Sequence, residues 1–145
     1  ESRIDQSKKS AAGAIGVMQL LPSTAADKNV NIPDIHDMQN NIHAGTKYLR
    51  FIADRYFTDD GIDPQNRLLL SFAAYNAGPA KIAKLRNEAA AQGLNPNQWF
   101  RNVELVAAKR IGRETVQYVS NIYKYWIAYS MIVERDKMRK KASSQ

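Results

Sequence analysis

Apolar positions along the chain recur three and four apart almost throughout, the period of helices that bury one face. Asp37 can cap a helix whose apolar face is expected to carry Ile42, Leu49, Ile52 and Tyr56, with Ala44 and Gly45 small enough for close packing. Asp63 and Pro64 read as the cap and first-turn residue of the next helix. That helix carries Leu68, Leu69, Leu70, Phe72 and Ala73, is apolar nearly all round, and is therefore predicted to be the central buried one. Gly78-Pro79 breaks it. A further helix runs from Ala80 to about Gln92 and stops at Gly93, and Asn95-Pro96 restarts a short one. A long helix follows from about Arg113 into a basic end, with Val116, Val119, Ile122, Tyr123, Trp126 and Ile127 on its apolar side. No alternating apolar and polar stretch is long enough to predict a sheet, and no internal repeat or linker interrupts the pattern. The expectation is one all-α, compact globular domain over residues 1–145.

Composition narrows this little. A chain of 145 residues with 44% hydrophobic and 24% charged residues suits one folded domain. No apolar run approaches the roughly 18–20 residues that span a bilayer. The start at Glu1-Ser2, without an initiator Met or a signal peptide, leads us to expect a piece of a longer protein. The absence of cysteine removes disulfides, thiol chemistry and Cys-ligated metal. His36 and His43 have no further ligands patterned around them, so no metal site is expected and both are placed at the surface.

Charge adds one question. The net charge is +7 and the pI about 9.7, which favours polyanions. Yet the densest basic run, Arg135, Lys137, Arg139, Lys140 and Lys141, sits at the C-terminal end and is expected to be a solvated, fraying tail over about 135–145. No zinc finger, RNP-type strand or glycine-rich phosphate loop accompanies it, so no nucleic-acid partner is expected.

Four segments carry candidate chemistry. Glu1-Ser2 offers a carboxylate. Ser10 to Ala25 places Gly13, Ala14 and Gly16 before Met18 and Gln19, where glycine permits close backbone approach by a ligand and the Met and amide can meet a sugar's apolar face and hydroxyls. Ala73 to Pro79 puts Tyr75 and Asn76 at the C-terminal end of the predicted central helix. Glu114 to Val119 adds Tyr118.

In this order and spacing the segments resemble the SLT-type lytic transglycosylases, glycoside hydrolase family 23. The matching stretches are Glu1-Ser2, Ser10, Gly13 to Gln19, Pro22 to Ala25, Asn41 to Leu49, Ala74 to Pro79, and Glu114 to Val119, so the resemblance covers residues 1 to about 125. The segment Gly112 to Val119 is similar to the branch of membrane-bound lytic murein transglycosylase F. The resemblance implies a lysozyme-like helical domain with a groove for peptidoglycan glycan strands. It implies that Glu1 is the one catalytic acid and base, cutting the bond between N-acetylmuramic acid and N-acetylglucosamine and leaving a 1,6-anhydromuramoyl end. Ser10, Met18, Gln19, Tyr75 and Asn76 would line the sugar subsites, and Tyr118 would hold the Glu or the adjacent saccharide. It implies no metal or organic cofactor, a monomer, and a place in the bacterial periplasm or cell envelope, with membrane anchoring through a preceding part. The alternatives are a goose-type lysozyme, which uses water at the same bond, and a non-catalytic glycan-binding module.

In the family the catalytic Glu closes a helix whose earlier turns anchor it. At residue 1 its carboxylate would instead lie beside an α-ammonium, which favours the ionised form, so reduced activity is expected of the chain as it stands.

Overall fold

The Asp37 carboxylate accepts the Asn40 N–H at 2.9 Å, and this cap starts a helix. The structure, a computed structural model, describes residues 5–142. Among the described residues six α-helices follow in chain order: α1 (Pro22–Ala26), α2 (Met38–Tyr56), α3 (Pro64–Ala77), α4 (Pro79–Ala91), α5 (Glu104–Ile111) and α6 (Arg113–Ala142). Among the described residues there is no strand, only isolated bridges from Ile15 to Lys9 and to Leu20, so the fold is all-α as the pattern predicts. The chain divides into two compact units, Glu1–Ile62 and Asp63–Gln145.

In the first unit the loop over 5–20 leads into α1, which packs on α2. Its buried apolar residues are Ile15, Leu20, Ala25, Val30, Ile35, Ala44, Ile52 and Phe57. The buried face of α2 keeps Ile52, Ala44 and Gly45 of the predicted set but not Ile42 or Tyr56. Asn41, Ala44, Gly45 and Ile52 are buried, while Ile42 and Tyr56 are exposed. Close approach explains the small residues: a Cβ added at Gly45 would lie 2.8 Å from Met18 Cβ, so this turn of α2 has room only for glycine.

In the second unit α3 is central, packing against α4, α6 and the segment Trp99–Val103. Asp63 caps α3 by accepting the Asn66 N–H at 2.8 Å, and that bond holds its carboxyl below the usual carboxylate range. Leu69, Leu70, Ala73 and Ala74 are buried, and buried Ser71 satisfies its hydroxyl on Arg67 O at 2.7 Å. Gly78, at φ 94°, ends α3 and starts α4. α4 ends at Ala91, beside the predicted stop at Gly93.

Two expectations fail here. Asn95-Pro96 makes a turn, closed by Gln98 N–H to Asn95 O at 3.3 Å, and starts no helix. Phe100 (ψ 135°) and Arg101 (φ 60°) keep the next residues irregular until Glu104, where α5 begins. Side chains hold that irregularity in place: Asn66 Oδ1 accepts Trp99 N–H at 2.9 Å, and the Glu104 carboxylate accepts Arg101 N–H at 3.0 Å. The apolar side of α6 is likewise covered only near its start. Thr115 and Val119 are buried, but Trp126 and Ile127 are exposed, as are Tyr125, Tyr129, Met131 and Ile132. The basic residues 135–141 continue the helix and are solvent-exposed.

Candidate active site

In the first unit the site begins with a turn. Ile15 and Leu20 exchange backbone hydrogen bonds at 2.9 and 3.1 Å, and Gln19 N–H closes on Gly16 O at 3.0 Å. The residues between them, Gly16 to Gln19, therefore project as one tight loop. Gln19 takes φ 48°, a left-handed conformation unusual for a side-chain-bearing residue. Its amide Nε2 donates to Gly16 O at 2.8 Å and to Lys8 O at 3.3 Å. That local bonding gives a physical reason for the conformation: the side chain caps its own turn.

Ser10 and Met18 are tied into the same loop. Ser10 Oγ accepts Ala14 N–H at 3.0 Å while Ser10 O accepts Gly13 N–H at 2.9 Å. The Met18 side chain lies against α2 at Gly45, and Met18 N–H donates to Asn41 Oδ1 at 2.9 Å. All three residues expected here share one short segment, each half-buried.

Asn41 was missed as a functional residue, although it opens one of the matched stretches. It is fully buried, and its Nδ2 donates to Ile15 O at 2.9 Å and Ile35 O at 3.0 Å. A polar residue one turn before Ala44 and Gly45, on the face they share, was the available signal. Gln6 was also missed, and nothing in its sequence surroundings marks it.

In the second unit Tyr75 and Asn76 lie in the last turn of α3, as predicted. Asn76 Oδ1 accepts the Thr115 hydroxyl proton at 2.7 Å, which joins the end of α3 to the start of α6. Tyr118 follows Thr115 by three residues, so both lie on one stripe of α6. Burial pushes the Tyr118 phenol above its ordinary pKa, so its proton is held further into the alkaline range. The six expected subsite residues thus divide three and three between the units. Glu1, the expected catalytic residue, lies outside the described residues.

An apolar groove of about 370 Å³ also opens in the second unit, lined by Leu68, Phe72, Tyr123 and Trp126 among others. At its edge Gln65 Nε2 donates to Tyr123 Oη at 2.9 Å. It contains none of the expected subsite residues and too few polar groups to pair with sugar hydroxyls, so we do not assign it to the glycan. His36 and His43 are exposed as expected.

Residues 1–98 match the transglycosylase SLT domain family. Membrane-bound lytic murein transglycosylase F of Desulfosudis oleivorans is 34% identical, over 87% of this chain and 30% of the relative. Its counterpart in Shewanella woodyi is 31% identical, over 95% of this chain and 31% of the relative. That of Haemophilus influenzae strain PittEE is 27% identical over 100% of this chain and 33% of the relative. The chain therefore spans about a third of the length of these relatives. With more than half of its residues matched by the family, and with the matched Gly13 to Gln19 loop and the Tyr75-Asn76 turn formed as described, this chain belongs to the transglycosylase SLT domain family.

Proposed function

We propose that this chain is the catalytic domain of a peptidoglycan lytic transglycosylase. Glu1 protonates the glycosidic oxygen between N-acetylmuramic acid and N-acetylglucosamine, and the C1–O bond breaks. The 2-acetamido oxygen stabilises the developing cation at C1. The Glu1 carboxylate then takes the proton of the muramoyl C6 hydroxyl, whose oxygen closes on C1 to give the 1,6-anhydro product. One carboxyl group serves both steps, in contrast to the paired carboxylates of most glycosidases. The observation that carries the reading is the SLT family match over residues 1–98, which takes in Glu1-Ser2, the Gly13 to Gln19 loop and Tyr75-Asn76.

The hydrogen bonds suggest which atom each subsite residue would offer. Ser10 Oγ already accepts from Ala14, leaving its proton to donate. Gln19 Nε2 is engaged with Gly16 and Lys8, leaving Oε1 to accept a sugar hydroxyl. Asn76 Oδ1 is engaged with Thr115, leaving Nδ2 to donate. Met18 and Tyr75 would supply apolar surface to the sugar rings. Tyr118, whose phenol pKa burial raises further, would donate to Glu1 or to the saccharide.

Envelope association follows the same reading, because the relatives carry the description membrane-bound. No helix among the described residues is long and apolar enough to cross a membrane.

The test is mass spectrometry of muropeptides released from sacculi. Anhydro ends support the reading, whereas products one water heavier identify a goose-type hydrolase. Glu1→Gln keeps size and hydrogen bonding but can neither deliver nor take the proton. It is expected to lower cleavage about 10²–10⁴-fold while leaving glycan binding intact. Undiminished cleavage by that variant removes Glu1 from the chemistry. Binding without cleavage, even by a chain extended upstream of Glu1 with the helix that carries the Glu in the family, supports the glycan-binding module instead.

A further inference from the structure

We propose that Gln6 and Asn41 form a two-amide latch that sets where the Val17–Gln19 turn stands, which makes both of them positioning residues for the glycan reaction. The role rests on the reading of that turn as part of the glycan site. Two consecutive backbone N–H groups of the turn are accepted by two side-chain amides: Val17 by Gln6 Oε1 at 3.1 Å and Met18 by Asn41 Oδ1 at 2.9 Å. Each amide then spends both of its N–H groups on backbone carbonyls. Gln6 Nε2 donates to Ile35 O at 2.9 Å and His36 O at 3.0 Å. Asn41 Nδ2 donates to Ile15 O at 2.9 Å and Ile35 O at 3.0 Å. The Ile35 carbonyl receives both, so the two amides share an anchor.

Gly16 makes the arrangement possible. A Cβ there would lie 2.5 Å from Asn41 Nδ2 and 2.6 Å from Gln6 Nε2. Only glycine lets both amides reach the turn, and its φ of 75° suits glycine as well. The turn is therefore fixed by side chains that converge on it from the 5–8 segment and from α2, in addition to its own bonds. Gly16 N–H adds a bond to Lys8 O at 2.9 Å. Gln6 follows Glu1 by five residues, so the latch joins the stretch after the proposed acid to the loop that carries Met18 and Gln19.

Burial separates the two partners. Asn41 is fully buried and contributes to folding in any case. Gln6 is only half-buried, so removing its amide loosens the turn with less damage to the fold. A tenfold change is the scale expected when one such set of bonds is lost at a site that must hold its geometry.

The decisive variant is Gln6→Met, which keeps length and loses the amide. We expect KM for soluble glycan strands to rise about tenfold with kcat changed less than twofold, and the Val17 amide to exchange with solvent about tenfold faster while Ile52 in α2 does not change. A purely structural role gives the opposite split: kcat falls with the folded fraction and KM stays put. Unchanged KM and unchanged Val17 exchange, with wild-type cleavage intact, overturn the latch alone. A wild-type chain that neither binds nor cleaves glycan strands overturns the glycan reading and the latch's role in it. Gln19→Ala serves as the reference: a raised KM there with none in Gln6→Met also counts against the latch.

Discussion

The Thr115 hydroxyl donates to Asn76 Oδ1 at 2.7 Å across 39 residues of chain, and so fixes which way the Asn76 amide faces. Thr115 is buried and Asn76 is exposed, so the bond is made at the edge of the core. Thr115→Val keeps the shape and removes the donor. The loss of one such bond is worth about 1 kcal/mol, or a melting temperature lower by about 3 °C. If the orientation of Asn76 serves the glycan reaction, kcat/KM falls about tenfold in this variant and Thr115→Ser restores it. An unaltered kcat/KM would detach the Asn76 amide from the reaction.

Gly16→Ala should be among the most damaging small substitutions in the chain. The positive φ costs a Cβ about 1 kcal/mol. Forcing that Cβ against the Asn41 and Gln6 amides adds about 1–3 kcal/mol of overpacking. Urea denaturation would measure the sum. Gly93→Ala is the comparison, because its φ of 76° is the same while nothing lies within 4 Å of the added Cβ. Equal losses in the two variants would show that the clash with the amides carries no weight.

Alkaline pH probes Tyr118. Burial raises its phenol pKa in the folded chain, as it does for Tyr48. The folded chain therefore holds these protons longer than the unfolded chain. Their effect on stability is constant below about pH 10, the ordinary phenol value, and stability is lost as pH climbs from there through the raised folded values. Tyr118→Phe should make that alkaline decline shallower in a pH series of melting temperatures. The acid limb has the opposite origin. Glu88, bonded to Arg110, and Asp63, bonded to the Asn66 N–H, are both held below their usual range. What they contribute is present above about pH 4 and lost as pH falls.

Local rules read from the sequence account for the helix starts. Asp37 and Asp63 cap their helices because a carboxylate three residues before a free N–H satisfies it without help from the rest of the fold. The break at Gly78-Pro79 is local in the same way. The buried face of α2 was legible only in part: Ala44, Gly45 and Ile52 are inside as read, but the exposure of Ile42 was hidden, because Met18 comes to rest on Gly45 from far away in sequence. The irregular backbone at Phe100 and Arg101 was hidden for the same reason, since Asn66 holds the neighbouring Trp99 N–H from another helix. The candidate site residues Met18, Gln19, Tyr75 and Asn76 came from the family resemblance. The second-rank contacts that orient them were not legible. Gln6 has no motif around it, and Thr115 reads as an ordinary residue of a helix start until Asn76 is beside it.

The second half of α6 sets opposing forces in adjacent turns. Tyr125, Tyr129 and Met131 are 70%, 67% and 68% exposed, and the basic residues 135–141 follow directly. At low ionic strength the chain's net charge of +7 keeps copies apart before their apolar turns can meet. Added salt shortens that repulsion to about 10 Å at 0.1 M while leaving apolar attraction in place. Solubility is therefore expected to be highest in dilute buffer and to fall as salt is raised.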